Sequence, residues 1–175
     1  MAARTLDILA ILRVLAAHDV EFIVVGGVSA ALNGAPIATY DLDVVHSRTP
    51  ANIARLLAAL EQLDAHSRMH PGRIVRPESS HLASEGHVLL MTKSGALDLL
   101  GAIGKGRGYE QLRPHAALKE VASGLLVHVL DLAKLIEIKQ ETGRDKDNAA
   151  LPILKATLEE RSRREPAPGG DPPDG

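Results

Sequence analysis

The stretch GGVSAALNGAPIATYDLDVV, residues 26–45, contains the features that decide the fold. It follows a short β-branched run, so its two glycines lie where a strand ends and a helix begins. It finishes in a second apolar strand, predicted over residues 39–47, which carries Asp41 and Asp43. Carboxylates are poor strand residues, and a buried carboxylate is costly unless another group compensates its charge. The aspartate pair therefore needs an explanation beyond strand formation.

The spacing of Asp41 and Asp43 places both side chains on one face of the strand. Residues two apart in a strand point to the same side, so Leu42 and Val44 face the opposite side and the core. Two ionised carboxylates on one face repel each other, and a hard divalent cation such as Mg²⁺ removes the repulsion. The spacing alone also fits a solvated strand edge with two surface charges.

The glycine pair Gly26-Gly27 suits a phosphate group. Glycine lets the backbone approach a ligand closely, and the start of a helix offers free N–H groups and the positive end of a dipole. A tight turn is the simpler explanation of two glycines alone. A phosphate cradle followed in the next strand by a metal-binding aspartate pair is more specific than either feature by itself.

Composition excludes several classes of protein. The chain has 175 residues and is 45% hydrophobic but only 2% aromatic, so Leu, Val, Ile and Ala must build the core, and base-stacking platforms are not expected. The net charge of −2 argues against coating of nucleic acid by bulk charge. Without cysteine there is no disulfide, thiolate zinc site or cysteine nucleophile. No apolar run reaches the roughly 20 residues of a membrane helix, so we expect a cytoplasmic protein with no membrane partner.

The order of predicted elements indicates an α+β fold with a mixed central β-sheet flanked by helices and a C-terminal helical pair. Residues 64–80 are polar and are expected to be irregular. We predict one domain over residues 1–162, with a core at about 20–130 and the helical pair at about 131–162, followed by a disordered Pro/Gly tail at 163–175. Predicted helices cover residues 5–18, 28–33, 50–63, 132–141 and 145–161, and predicted strands cover 21–25, 39–47, 87–92, 96–101 and a hairpin within 116–131 that turns at 123–124.

Residues 26–45 resemble the signature of the nucleotidyltransferase superfamily with the DNA polymerase β-like fold, which is G-[GS], a short helix, then D-x-[DE] on the next strand. The helix that ends in Asn33-Gly34, and Thr39 ahead of the aspartates, are most similar to small bacterial nucleotidyltransferases. That group includes the toxin halves of toxin–antitoxin pairs. The resemblance extends over residues 22–147 and is most specific at 26–45.

The resemblance implies a third carboxylate on a neighbouring strand, and Asp98 in the apolar run ALDLLG is the candidate. A charge at a hairpin edge is the alternative explanation of Asp98. By resemblance, Asp41, Asp43 and Asp98 would be the catalytic residues and the ligands of two Mg²⁺ ions. One ion would hold the triphosphate; the other would activate the attacking hydroxyl, with Asp98 as ligand and candidate base. The implied reaction moves a nucleoside monophosphate from an NTP to an acceptor hydroxyl on tRNA, protein or a small molecule.

The chain departs from the family pattern at two positions. Gly27 stands where many members have Ser, so Ser29 is the candidate to supply a hydroxyl to phosphate beside Gly26 and Gly27. The loop before the aspartates has Ile37 near the place of a common Arg, so a cation for the triphosphate must come from elsewhere.

The C-terminal helices supply candidate cations. The pattern K-x(4)-R-x-K-D, which begins at Lys139 and includes Lys146 and Asp147, is similar to the closing segment of the family. Lys139 and Lys146 are therefore candidate contacts to the triphosphate or base. The alternative is a solvated helix cap in which Asp147 pairs with Lys139 and orients it.

Other patterns are less specific. The loop GKGRGY, residues 104–109, is either an acceptor-side loop with Lys105 and Arg107 or a plain surface loop. The scattered histidines do not favour a zinc site, and His46 is expected to pack or lie exposed, away from the aspartate pair. The alternatives to a toxin-like transferase are a non-catalytic binding or antitoxin-like protein of the same fold and a metal-dependent phosphohydrolase. A cognate antitoxin is a candidate partner of the toxin-like form.

Overall fold

The computed structural model describes residues 5–165 and contains one mixed seven-stranded sheet with helices on both faces. The strands are β1 (Phe22–Val25), β2 (Asp41–His46), β3 (His66–Ser67), β4 (His87–Thr92), β5 (Gly95–Leu100), β6 (Ala116–Ala122) and β7 (Leu125–Leu130). The helices are α1 (Ile8–Ala17), α2 (Gly26–Leu32), α3 (Pro50–Gln62), α4 (Ser79–Ala83), α5 (Tyr109–Leu112), α6 (Leu132–Thr142) and α7 (Asp145–Arg164), with a 3₁₀ turn at Arg113–His115.

The sheet order is β3-β4-β5-β2-β1-β7-β6. The pairs β2–β5 and β1–β7 are parallel, and the other neighbours are antiparallel. Both predicted hairpins are present as β4–β5 and β6–β7. The predicted α+β architecture with a mixed central sheet and a C-terminal helical pair is confirmed.

Two apolar clusters cover the two faces of the sheet. On one face, Leu42 and Val44 of β2 pack with buried residues of α1 and α3, which confirms the predicted inward face of that strand. On the other face, Val45 and residues of β1 pack with α6 and with Leu154 of α7. Because β1 is buried on both sides, its sequence is an unbroken apolar run.

Local signals explain where α3 begins and how it is held on the sheet. Thr49 caps its first turn by accepting a hydrogen bond from the backbone N–H of Asn52 (3.3 Å), and Pro50 occupies the first position, where no N–H donor is needed. Asn52 is fully buried and ties α3 to the sheet: its Oδ1 accepts from the Glu21 N–H (2.7 Å), and its Nδ2 donates to the carbonyls of Glu21 (3.0 Å) and Ser47 (2.7 Å).

The observed elements differ from the predicted ones at several points. Helix α1 begins at Ile8, three residues later than predicted, and α5 with the 3₁₀ turn after it was not predicted. Helix α2 begins at Gly26, two residues earlier than predicted. The segment 64–80 is not wholly irregular, because it contains β3 and the start of α4, where the Glu78 N–H donates to Nδ1 of His81 (3.2 Å). Helix α7 continues to Arg164, so residues 163 and 164 of the predicted tail are helical. Residues 166–175 of that tail lie outside the described residues. Within 5–165, no helix is both long and apolar enough to cross a bilayer.

Replacing Asn52 tests the tie between α3 and the sheet. We expect Asn52→Ala to lower the free energy of unfolding by about 2–3 kcal/mol, because it removes the three hydrogen bonds of a fully buried side chain, and with them the side-chain partners of the Glu21 N–H and the Ser47 carbonyl. Urea denaturation measures the change. The control is Asn148→Ala on α7, where an exposed side chain makes one hydrogen bond to Gly143, and a change there as large as that at Asn52 would contradict the interpretation.

Candidate active site

The strand register brings the three predicted aspartates together. Asp43 of β2 is the direct partner of Asp98 in the neighbouring parallel strand β5, and Asp41 lies two residues earlier on the same face of β2. One carboxylate oxygen from each of the three residues lies within 4.8 Å of the other two. Asp98 is buried, and Asp41 and Asp43 are half-buried. We call these three residues the carboxylate cluster.

Gly26 forms one wall of the carboxylate cluster. It follows Val25, which pairs with Asp43 across the β1–β2 ladder, and it has a φ of +63°. A Cβ atom at Gly26 would lie 2.2 Å from Oδ2 of Asp43, so any side chain would collide with the carboxylate. A Cβ at Gly27 would lie 3.1 Å from the Thr39 hydroxyl. The glycine pair therefore lets the backbone lie directly against the cluster.

Burial and mutual repulsion make two of the carboxylates hard to ionise. The pKa of Asp43 is raised to about 7, first by burial and then by the charges of Asp41 and Asp98. The pKa of Asp98 is raised to about 6, again mainly by burial, although Arg68 acts in the opposite direction. Because Asp43 and Asp98 interact directly, they titrate as a pair, and near neutral pH the pair retains part of a proton. A bound cation would replace that proton.

Arg68 is a site residue that sequence reasoning missed. Its Nη2 lies 2.7 Å from Oδ1 of Asp98, and its side chain is only 25% exposed. It follows β3, and its backbone N–H donates to the Leu89 carbonyl of β4 (2.9 Å), so the sheet holds it beside the cluster. The residue stands in a polar segment without periodicity. No local signal predicts that the sheet order places it near Asp98.

The Ser29 hydroxyl is engaged within α2. Ser29 is fully buried, and its hydroxyl donates to the Gly26 carbonyl (2.8 Å) within the first turn of α2. The hydroxyl therefore holds the turn that carries Gly26, and the structure gives it no open path to a phosphate. The backbone around Gly26 and Gly27 is the part of this motif that lies against the cluster.

The two candidate lysines of the C-terminal pair lie in different settings. Lys139 donates to Oδ1 of Asp147 (3.0 Å), and Arg144 donates to Oδ2 (2.9 Å), so Asp147 is buried between two cations and orients Lys139. Lys146 is exposed, and its charge lowers the pKa of Asp43. Lys146 is thus the lysine whose field reaches the cluster.

The remaining candidates are structural or exposed. Arg107 of the glycine-rich loop is bound to α6 through Glu141 (2.6 Å) and Glu137 (3.3 Å), whereas Lys105 is exposed. His46 is buried, and its Nε2–H donates to the Leu82 carbonyl (2.7 Å). Tyr40, which precedes the first aspartate, is 86% exposed and packs against nothing in the core.

Comparison with solved structures shows that the chain adopts the nucleotidyltransferase fold. No family model and no curated protein match the sequence. A Thermotoga maritima protein assigned as a nucleotidyltransferase is similar over 87% of this chain and 90% of its own, with 17% identity and a TM-score of 0.54.

The antibiotic-resistance factor ANT(2'')-Ia is similar to the chain in two structures. Its solution structure aligns with 89% of this chain and 90% of its own, at 15% identity and a TM-score of 0.56. Its crystal structure with adenylyl-2''-tobramycin aligns over 87% of each chain, at 14% identity and a TM-score of 0.53. The predicted fold is therefore confirmed, and at these identities the likeness concerns the fold alone.

The raised pKa values predict how stability depends on pH. Both carboxyls have folded-state pKa values above the ordinary 3.8, so the folded state keeps protons that the unfolded state loses. We expect metal-free protein to lose stability as pH rises from about 4 to about 7, and Mg²⁺ to restore it at pH 8. Thermal melts in EDTA and in Mg²⁺ measure both effects.

The variant Asp43→Asn isolates the source of this dependence. It removes the charge that burial and repulsion oppose, so we expect metal-free stability at pH 8 to rise by about 1–2 kcal/mol and the pH slope to shrink. Asp145→Asn, at an exposed position in the first turn of α7, is the matched control. Equal pH slopes for wild type and Asp43→Asn would show that the cluster is not the source.

Proposed function

We propose that this protein is a Mg²⁺-dependent nucleotidyltransferase that moves a nucleoside monophosphate from an NTP to an acceptor hydroxyl. The observation that carries the proposal is the convergence of Asp41, Asp43 and Asp98 from two adjacent parallel strands, against a glycine-lined backbone. The nucleotidyltransferase fold supports it independently.

The donor set of the carboxylate cluster fits Mg²⁺. Mg²⁺ prefers carboxylate and phosphate oxygens, and the cluster offers three carboxylates whose ionisation is hindered without a cation. Asp41 and Asp43 would hold both proposed ions, and Asp98 would contribute to one of them. When bound, Mg²⁺ supplies charge compensation for the triphosphate and lowers the pKa of the acceptor hydroxyl.

The residues of the chain have separate roles in the proposed transfer. The acceptor oxygen forms a bond to the α-phosphorus while the bond from that phosphorus to the pyrophosphate oxygen breaks in line. Asp98 accepts the proton of the hydroxyl, and its pKa of about 6 suits a base that works near neutral pH. Gly26 and Gly27 let the triphosphate approach the backbone, with Ser29 holding the turn beneath them.

Cations near the cluster would offset the charge of the triphosphate. Lys146 is exposed near Asp43, and Lys139 lies one turn before the end of α6, oriented by Asp147. We assign Lys146 to direct contact with nucleotide and Lys139 to the support of that segment. Arg68 keeps Asp98 ionised and in place, and so acts as a positioning residue.

The acceptor is the open part of the proposal. The solved complex of ANT(2'')-Ia contains adenylyl-2''-tobramycin, so one protein of this fold binds an adenylylated small molecule. That observation supports a small-molecule hydroxyl as acceptor for this chain. The toxin-like role, with tRNA or protein as acceptor and an antitoxin as partner, has only the resemblance of residues 26–45 as support.

Labelling with each of the four α-³²P NTPs in cell extract and Mg²⁺ tests the proposal and identifies the acceptor class. We expect transfer of label by wild type and a loss of about 10²–10⁴-fold in Asp41→Asn, Asp43→Asn and Asp98→Asn. Asp145→Asn should retain full activity. Calorimetric titration with each NTP and Mg²⁺ measures binding. If wild type binds no NTP, or if Asp41→Asn binds metal and NTP as wild type does, the protein is a non-catalytic member of the fold. Release of phosphate without acceptor would indicate a phosphohydrolase.

Arg68→Gln tests the positioning role of Arg68. Since the guanidinium lowers the pKa of Asp98, its removal should raise that pKa further. We expect the acidic limb of the kcat–pH profile to move to higher pH by about one unit, while activity at pH 9 recovers most of the wild-type value. Arg68→Lys keeps the charge and should stay closer to wild type. An Arg68→Gln profile of unchanged shape and lower amplitude would assign Arg68 a merely structural role.

A further inference from the structure

A second cationic feature lies at the end of α2 remote from the carboxylate cluster. Asn33 follows the last residue of α2 and is buried, and its Nδ2 donates to the carbonyls of Ser29 (2.8 Å) and Leu130 (2.9 Å). These bonds direct its Oδ1 the other way, towards two cations. Lys119 of β6 donates to Oδ1 at 3.0 Å, and Arg161 of α7 donates to the same atom at 2.9 Å.

Lys119 and Arg161 differ from the other half-buried cations of the described chain. Among residues 5–165, eight lysine and arginine residues are half-buried, and Lys119 and Arg161 are the two without a carboxylate in ion-pair distance. The other six each form an ion pair: Arg48, Arg55, Arg68, Arg107, Lys134 and Lys139. Ion pairing is thus the norm for the half-buried cations of residues 5–165. The two exceptions donate to the same oxygen atom, Oδ1 of Asn33.

The arrangement is electrostatically unfavourable without an anion. Two positive charges are held against one neutral amide oxygen in a partly desolvated place. The pKa of Lys119 is lowered, first by burial and then by the charge of Arg161. The C-terminal end of α2 carries a partial negative charge of only about one half, which does not neutralise two cations.

We propose that Lys119 and Arg161 form a binding site for a phosphate group, separate from the carboxylate cluster. Each side chain uses one donor on Asn33, which leaves the lysine further N–H donors and the arginine most of its planar fork. That combination of a point charge and a fork suits the oxygens of a phosphate. An anion here also supplies the charge that the protein itself does not provide within residues 5–165.

The position of the site suggests its relation to the carboxylate cluster. Helix α2 has seven residues and therefore spans about 10 Å, with Gly26 at one end and Asn33 just beyond the other. A phosphate at Lys119 and Arg161 would be bound beside, and not in place of, a nucleotide at the cluster. The phosphate belongs either to an RNA backbone or to a small phosphorylated molecule, since both present the same oxygens.

Inorganic phosphate is the probe for the site itself. In EDTA, where the carboxylate cluster has no metal, wild-type protein should bind phosphate saturably by calorimetry and melt at higher temperature in phosphate than in chloride of equal ionic strength. Lys119→Gln and Arg161→Gln should each weaken phosphate binding at least about tenfold. Each variant leaves the other cation to bind Asn33, so the fold is retained. Lys155→Gln, an exposed lysine on α7, is the matched control and should bind as wild type.

The chloride melts separate an anion site from a structural tie. Removal of one cation relieves the repulsion, so both variants should melt in chloride at or above the wild-type temperature while losing the phosphate-induced rise. If both melt lower in chloride and respond to phosphate as Lys155→Gln does, the two cations only tie α7 and β6 to α2, and the proposal is wrong. Absence of saturable phosphate binding by wild type also overturns it.

Two further titrations identify the source of the phosphate. A short single-stranded RNA bound more weakly by Lys119→Gln and Arg161→Gln, with binding of ribose 5-phosphate unchanged, assigns the site to a nucleic-acid backbone. The reverse result assigns it to a small phosphorylated molecule. Neither titration requires turnover. The proposal of a phosphate site can therefore be contradicted while the proposal of nucleotidyl transfer is supported, and the reverse.

Discussion

The parallel pairing of β2 with β5 places Asp43 directly opposite Asp98, and the rest of the site depends on this contact. Burial raises the pKa of both carboxyls, and the charges of Asp41 and Asp98 raise that of Asp43 further, which favours a cation within the carboxylate cluster. Gly26 is required because Asp43 fills the space where a side chain would begin. Arg68 offsets part of the charge from the side of β4.

The apolar frame explains how the sheet tolerates this repulsion. Strand β2 is anchored by Leu42 and Val44 on one face and by Val45 on the other, all of them fully buried. Burial of each such side chain contributes about 1.5–3 kcal/mol, which is comparable with the destabilisation from one hindered carboxylate. The acidic residues lie at the first half of the strand, and the apolar end holds them in register.

Features that depend on neighbours in the sequence were predictable from it. Strand parity predicted that Asp41 and Asp43 share a face, and turn residues predicted both hairpins. Asp98 was identifiable because an acid interrupts an apolar strand. Interactions that join remote segments were not predictable. These are the hydrogen bond between Asn52 and Glu21 and the ion pair of Arg68 with Asp98. They also include the hydrogen bonds that Asn33 accepts from Lys119 and Arg161. The hydrogen bond of the buried Ser29 hydroxyl to the Gly26 carbonyl was also not predictable from the sequence, since a helix position alone does not show which side faces the sheet.

The sheet order has a consequence for the order of folding. The central strand β1 is completed on one side by β7, with Ile23 paired to His128, so the middle of the sheet joins residues from opposite ends of the described chain. Such non-local pairings close late, because the entropy of a long loop must be overcome before they form. During synthesis, residues 22–46 can form only the antiparallel pair β1–β2 until the two hairpins emerge. The acidic strand therefore forms before the third carboxylate is in place, and the carboxylate cluster is complete only when β5 has docked beside β2.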